Sequence, residues 1–166
     1  MGARGSDDRG RVGGAGRGDG TVVTNRRARY DYQIVDSWES GIVLEGAEVK
    51  SLRERRANLQ DGLARVENGE VWLYGMHVSP YSYGARELDP VRRRKLLLHR
   101  RQIDQLERAT AEKGTTLVPL RIYFKDGRAK VELALGKGKR QWDKRQTIAK
   151  READREAQRA LKERSR

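Results

Sequence analysis

Cysteine is absent from the 166 residues. Its absence excludes disulfides, Cys-ligated zinc and a thiol nucleophile. Histidine occurs twice, as His77 and His99, outside any HxxxH or HxH spacing. An imidazole-built metal or acid–base site is therefore not expected. Aromatic residues make up only 6% of the chain, so the core must be small. No apolar run approaches the roughly 18 residues that a membrane span needs. The first twenty residues lack the apolar stretch of a secretory signal. These absences point to a cytoplasmic chain without a membrane partner. No G-x-S-x-G elbow or Walker-type loop occurs, and Gly136-Lys137-Gly138-Lys139 is only faintly like a phosphate loop. Most carboxylates stand beside cations, as in surface ion pairs. The expectation is a protein with no catalytic residue, no metal and no cofactor, and so not an enzyme.

Positive charge is what the chain has in excess. There are 37 Lys+Arg against 24 Asp+Glu, a net charge of +13. A chain so charged attracts a polyanion. The excess is uneven. Residues 136–166 hold 12 basic and 5 acidic side chains, more than half of the net charge.

Three segments follow. Residues 1–24 are rich in Gly and Arg with almost nothing to bury, which predicts a disordered leader. Residues 25–135 carry the pattern of a folded domain. Tyr30 to Val35 and Ile42 to Val49 read as strands, with Lys50 to Arg56 as a short helix. Asn68-Gly69 and Asp126-Gly127 are type I′ hairpin signals, between Leu63–Glu67 and Glu70–Gly75 and between Leu117–Phe124 and Arg128–Leu135. A helix is expected from His99 to Lys113, with Ile103 and Leu106 on one face and Gly114 as its stop. Pro80 and Pro90 bracket a loop that holds Tyr81, Ser82, Tyr83 and Gly84. The fold class is mainly β, a small closed OB-like barrel with one to two helices. Residues 136–166 favour helix by composition but offer no apolar face. That segment is expected to be disordered when free and helical on a polyanion.

Two clusters suit RNA. Asn25-Arg26-Arg27-Ala28-Arg29-Tyr30-Asp31-Tyr32 sets three guanidiniums beside two tyrosines, which can stack on bases, sit in the barrel wall, or do both. Pro90-Val91-Arg92-Arg93-Arg94-Lys95-Leu96-Leu97-Leu98 joins four cations to an apolar triplet that can anchor them toward RNA. In the tail, Trp142 amid cations is a base-stacking probe.

These stretches, with Gly46-Ala47-Glu48-Val49-Lys50-Ser51-Leu52-Arg53, Ala57-Asn58, Asp89-Pro90 and Gly136-Lys137-Gly138-Lys139 through Asp143-Lys144-Arg145, resemble the SsrA-binding protein family, also called small protein B. The resemblance spans residues 25–145 in order. It implies a barrel that binds the tRNA-like domain of transfer-messenger RNA and delivers it, with elongation factor Tu, to stalled ribosomes for trans-translation. It also implies a tail lying in the empty mRNA channel near the small-subunit decoding centre, peptide tagging and ribosome release. The RNA-contacting or RNA-supporting positions implied are Asn25, Arg26, Arg27, Tyr32, Glu39, Lys50, Ser51, Arg53, Asn58, Lys95, Leu97 and Lys130. The ribosome-contacting positions are Lys137, Gly138, Lys139, Arg140, Trp142, Asp143, Lys144 and Arg145. Nothing suggests an obligate dimer, so a monomer is expected when free. Arg55 departs from the family, where many relatives have Gly; a positive φ there would cost Arg about 1 kcal/mol or more. Trp142 stands where some relatives have His, which keeps stacking but loses protonation-dependent contact. Without the resemblance, a generic OB-fold binder of single-stranded or ribosomal RNA fits nearly as well, and an RNA-processing enzyme is the third reading.

Overall fold

A computed structural model describes residues 20–81, 87–139 and 141–165, and of 141–144 and 146 the backbone alone. The elements in chain order are β1 (Gly20–Thr24), α1 (Arg26–Asp31), β2 (Tyr32–Ile42), α2 (Gly46–Arg53), β3 (Ala57–Asn58), β4 (Leu63–Glu67) and β5 (Glu70–Tyr74). They continue with β6 (His77–Val78), β7 (Arg94–Leu97), α3 (Arg100–Thr110), β8 (Thr115–Lys125), β9 (Arg128–Gly138) and α4 (Gln141–Arg164). The architecture is mainly β. Seven strands form one antiparallel sheet, and β3 and β6 form a second small one. The pairings of the large sheet run β8–β4–β5–β7–β2–β9, and β9 also pairs with β8; β1 lies outside on β8. The β4–β8 link is a single residue pair, Ala64 with Leu117. Among the described residues no helix is long and apolar enough to cross a membrane.

Both hairpins form where their turn residues predict. Asn68 and Gly69 have φ of 50° and 74°, and Asp126 and Gly127 have 51° and 73°. Two successive positive φ values match the strand twist, and Asn, Asp and Gly reach them cheaply. The second hairpin fixes β8 against β9 over most of their length. Leu117, Ile122, Phe124, Val131 and Leu133 thereby enter the main core with Leu52, Leu73, Leu96 and Leu106. Val118, Leu120 and Ala134 face the other way and pack under Ala28 of α1. A one-residue shift between Pro119 and Arg121 lets Leu120 and Ile122, two apart, serve opposite faces. α3 begins as expected at His99, whose backbone N–H donates to Gln102 Oε1 at 3.0 Å. It ends before Gly114, at φ 85°.

Several expectations need correction. β1 occupies residues assigned to the leader, and β9 runs past Leu135 to Gly138; the rest of the leader lies outside the described residues. The predicted strand over Ile42–Val49 is instead the end of β2 followed by α2. Glu45 opens the helix: its N–H donates to Glu48 Oε1 at 2.9 Å, a capping-box bond that overrides the apolar run. Helix α1 was not expected. Asn25 caps it by accepting from Ala28 N at 3.1 Å, and six residues are too few to show a period. The tail is helical over Gln141–Arg164, with Ile148 and Leu161 exposed. Of the Pro80–Pro90 loop, Ser82, Tyr83 and Gly84 lie outside the described residues.

Arg55 has φ 59°, so the positive φ is real. Arg55 N–H donates to Leu52 O and Arg56 N–H to Ser51 O, both at 2.9 Å, the two bonds of a Schellman cap at the end of α2. Only a left-handed residue closes that cap. Arg55→Gly is expected to raise stability by about 1 kcal/mol, readable as a higher urea midpoint at constant slope.

Candidate nucleic-acid interface

A cleft of about 1210 Å³ opens along β2, β7 and the β8–β9 hairpin. Its apolar lining is Trp38, Ile42, Leu44, Val49, Leu97, Leu98 and Phe124, and its polar lining includes Glu39, His99, Gln102, Arg128 and Lys130. Three expected RNA positions, Glu39, Leu97 and Lys130, therefore meet in one groove. Gly41 lets β7 come close: a Cβ there would stand 3.2 Å from Leu97 Cβ. Leu97 remains 51% exposed, an apolar surface open to a partner. Arg53 of α2 lies over the ring of Phe124, one of the groove's lining residues, at 4.4 Å.

Glu39 is held by two neighbours. It accepts a short hydrogen bond from the Tyr123 hydroxyl, and Lys125 Nζ lies 3.5 Å from its other oxygen. Burial works against its ionisation, but the Tyr123 bond and the charges of Lys125 and Lys130 outweigh it. The carboxyl is held below the usual carboxylate range. Burial, then the bond to Glu39, pushes the Tyr123 hydroxyl well above its usual value. Sequence reading missed Tyr123, Phe124 and Lys125. The signal was present in the Asp126-Gly127 turn, whose register sets Tyr123 opposite Lys130.

A second group lies around α1. Arg27, half exposed, donates to Asp31 at 3.1 Å and approaches Asp61 at 3.9 Å beside a small pocket shared with Tyr32. Arg26 is exposed. Tyr32 is half-buried against Ala28, Val118, Leu120 and Ala134, and a Cβ on Gly136 would collide with it. Lys50 lies 5.3 Å from the Tyr81 ring centroid, and Asn58 Oδ1 accepts from Gln60 N at 2.7 Å.

Two expected positions face inward. Asn25 is buried and donates to Leu59 O at 3.0 Å and Pro119 O at 2.9 Å. Ser51 is buried and donates to Ser79 O at 2.8 Å. Both support the surface from beneath rather than forming it.

The Arg92–Lys95 run is the chief correction, because it does not present four free cations. Arg94 is buried, donating to Glu48 Oε2 at 2.7 Å, Met76 O at 2.7 Å and Pro90 O at 3.1 Å. Arg92 also donates to Glu48. Arg93 stacks on Trp72 at 4.1 Å, and Lys95 pairs with Glu70 at 3.1 Å. Burial opposes ionisation of Glu48, but the bonds from Arg92, the Glu45 N–H and Arg94 hold its carboxyl below the usual range. Burial lowers the Arg94 guanidinium despite that pairing. A strand that crosses the core must neutralise its inward cation.

In the tail, Lys137 lies 3.6 Å from Glu112, and Gly138 is the last residue of β9. Lys139 Nζ donates to Arg29 O and to Thr147 Oγ1, both at 2.9 Å, tying the start of α4 to the end of α1. Arg140 lies outside the described residues, as do the side chains of Trp142, Asp143 and Lys144. Arg145 is exposed.

Known proteins resemble this chain over most of its length. The model of the SmpB protein family matches residues 22–163. The SsrA-binding protein of Desulforudis audaxviator is 59% identical over 143 residues, 86% of this chain and 94% of the relative. That of Thermobifida fusca is 56% identical over 150 residues, 90% of this chain and 94% of the relative. A solved chain described as tmRNA-SmpB, on a journey to the center of the bacterial ribosome, is 45% identical with a TM-score of 0.62. It covers 75% of this chain and 92% of its own. A match that begins in β1, takes in every strand of the groove and ends in the last turn of α4 places this chain in the SsrA-binding protein (SmpB) family.

Proposed function

We propose that this protein binds the tRNA-like domain of transfer-messenger RNA and brings it, with elongation factor Tu, to ribosomes stalled without a codon. The observation that carries the reading is the family match from β1 through α4, which covers both the groove and the tail. The circuit of strand pairings supports a closed barrel of the OB type as the RNA-reading body. In that body Glu39, Leu97, Lys130 and Arg53 form the groove contacts. Arg26, Arg27, Lys50, Asn58 and Lys95 add flanking polar groups, while Asn25, Ser51 and Tyr32 hold the surface in shape.

Residues 136–166 act on the ribosome. α4 has 24 residues, about 36 Å of helix, and its polar surface suits a channel lined with phosphates. Lys137, Lys139, Arg140 and Arg145 face ribosomal RNA there, and Trp142 stacks on a base. The ribosome then changes to the reading frame of the transfer-messenger RNA, tags the stalled peptide and is released. The protein works as a cytoplasmic monomer and catalyses no bond change itself.

The test is a reconstituted translation system that lacks its own SsrA-binding protein and is stalled on an mRNA without a stop codon. Adding this chain with transfer-messenger RNA is expected to yield tagged peptide and free ribosomes. A peptide that stays untagged and ribosome-bound would refute the proposal.

A further inference from the structure

We propose that Tyr123 is a positioning residue for RNA recognition: from behind the groove it fixes Glu39 as a rigid acceptor for a donor group on the RNA. The inference rests on the reading of the groove as the transfer-messenger RNA interface. Glu39 lines that groove and Tyr123 does not. Tyr123 is 6% exposed. Its ring lies 4.4 Å from the Arg121 guanidinium, which is itself held by Glu132 at 2.6 Å and Thr21 Oγ1 at 3.0 Å. The ring is thus covered by Arg121 of its own strand, which β1 and β9 hold in place. Its hydroxyl donates to Glu39 Oε2.

A carboxylate at a polyanion interface repels phosphate and cannot add affinity by charge. It can contribute by accepting hydrogen bonds from base N–H groups or a ribose 2′-hydroxyl, and by denying that place to a phosphate. That role needs a carboxylate that is ionised, immobile and not consumed by neighbouring cations. An ionised carboxylate has about four lone-pair directions. Tyr123 takes one and Lys125 approaches another at 3.5 Å, which leaves acceptor capacity at the groove. Lys130 makes no ion pair among the described residues and acts on Glu39 only through its charge, so it stays available for phosphate. Without the Tyr123 hydroxyl, Glu39 would be free to swing onto Lys125 or Lys130. One acceptor and one phosphate-binding cation would then be lost together.

The experiment uses the full chain, with Tyr123→Phe, Glu39→Gln and the double variant. Dissociation constants for transfer-messenger RNA are measured with excess ordinary tRNA present, beside melting temperatures. Tyr123→Phe keeps the buried ring and is expected to melt within a few degrees of the parent. It should nevertheless bind about tenfold more weakly, the scale of a lost hydrogen bond to a charged group. The double variant is expected to bind no more weakly than Glu39→Gln alone, because both changes break one device. Parental affinity for Tyr123→Phe, or a double variant whose loss is the product of the two single losses, would overturn the proposal. Parental affinity for Glu39→Gln would overturn it too and remove Glu39 from the interface. The parent's own binding in the same titration reports separately on whether the chain recognises this RNA. If Tyr123→Phe melts early, binding at low temperature, where it remains folded, decides by the same comparison.

Discussion

Replacing Glu48 by Ala is expected to cost about 3–5 kcal/mol of folding stability, enough to threaten a body of this size. Glu48 is 4% exposed and receives both Arg92 and Arg94. Removing it leaves the wholly buried Arg94 guanidinium without its counter-charge between α2 and β7. The cost comes from the stranded partner, not from an intrinsically strong pair. Glu48→Met combined with Arg94→Met should therefore recover much of the loss, whereas Glu48→Met alone should not. The pH dependence has a definite sign. Glu48 has a lower pKa folded than unfolded. Its contribution is complete above the unfolded value, near the ordinary carboxylate pKa of about 4.3. It is lost as the pH falls through the folded value. The stability gap between parent and Glu48→Ala should thus be widest near neutrality and shrink in acid. Equal stability of the two at pH 7 would show that Arg94 does not depend on Glu48.

Changing Asp143 and Lys144 together to Ala is expected to abolish peptide tagging while leaving transfer-messenger RNA affinity within about twofold. The net charge is unchanged by that pair of substitutions, so long-range attraction to RNA is preserved. Gln141–Arg164 leaves the strand circuit behind, and from Lys150 to Ser165 every residue is exposed. Asp143 and Lys144 lie in α4, outside the strands that carry the core, so the substitution is expected to act on the ribosome step. Tagging assays and binding titrations on the same preparation separate the two effects. Normal tagging would show that this tail motif does not engage the ribosome.

Features with local causes were legible in the sequence. Asn68-Gly69 and Asp126-Gly127 announced their turns, because few residues accept two positive φ values in succession. Ile103, Leu106 and Gly114 announced α3. The failures came where a distant partner decides. Arg94 reads as one cation of four until Glu48, 46 positions away, is known to lie against it. Asn25 reads as a polar residue in a basic run, but its amide bridges Leu59 and Pro119. Ile42–Val49 has a strand-like apolar pattern, but β2 ends at Ile42 and the bond from Glu45 to Glu48 caps a helix that starts at Gly46. The groove was half legible. The resemblance supplied Glu39, Leu97 and Lys130 as separate positions, while their convergence and the Tyr123 support are products of strand register. The Arg55 departure could be settled only by its φ.

The central claim is that the folded body is the specific reader of the RNA and the tail is free for the ribosome. The most direct test is a titration of transfer-messenger RNA at near-physiological salt with excess ordinary tRNA as competitor. It compares the full chain with one ending at Lys139, which keeps β9 whole to Gly138 and the Lys139 N–H bond to Asp31 O. Binding on the nanomolar scale that survives both the competitor and the truncation is the predicted result. Affinity that collapses under either would mean that the +13 charge alone attracts the RNA, and would contradict the account.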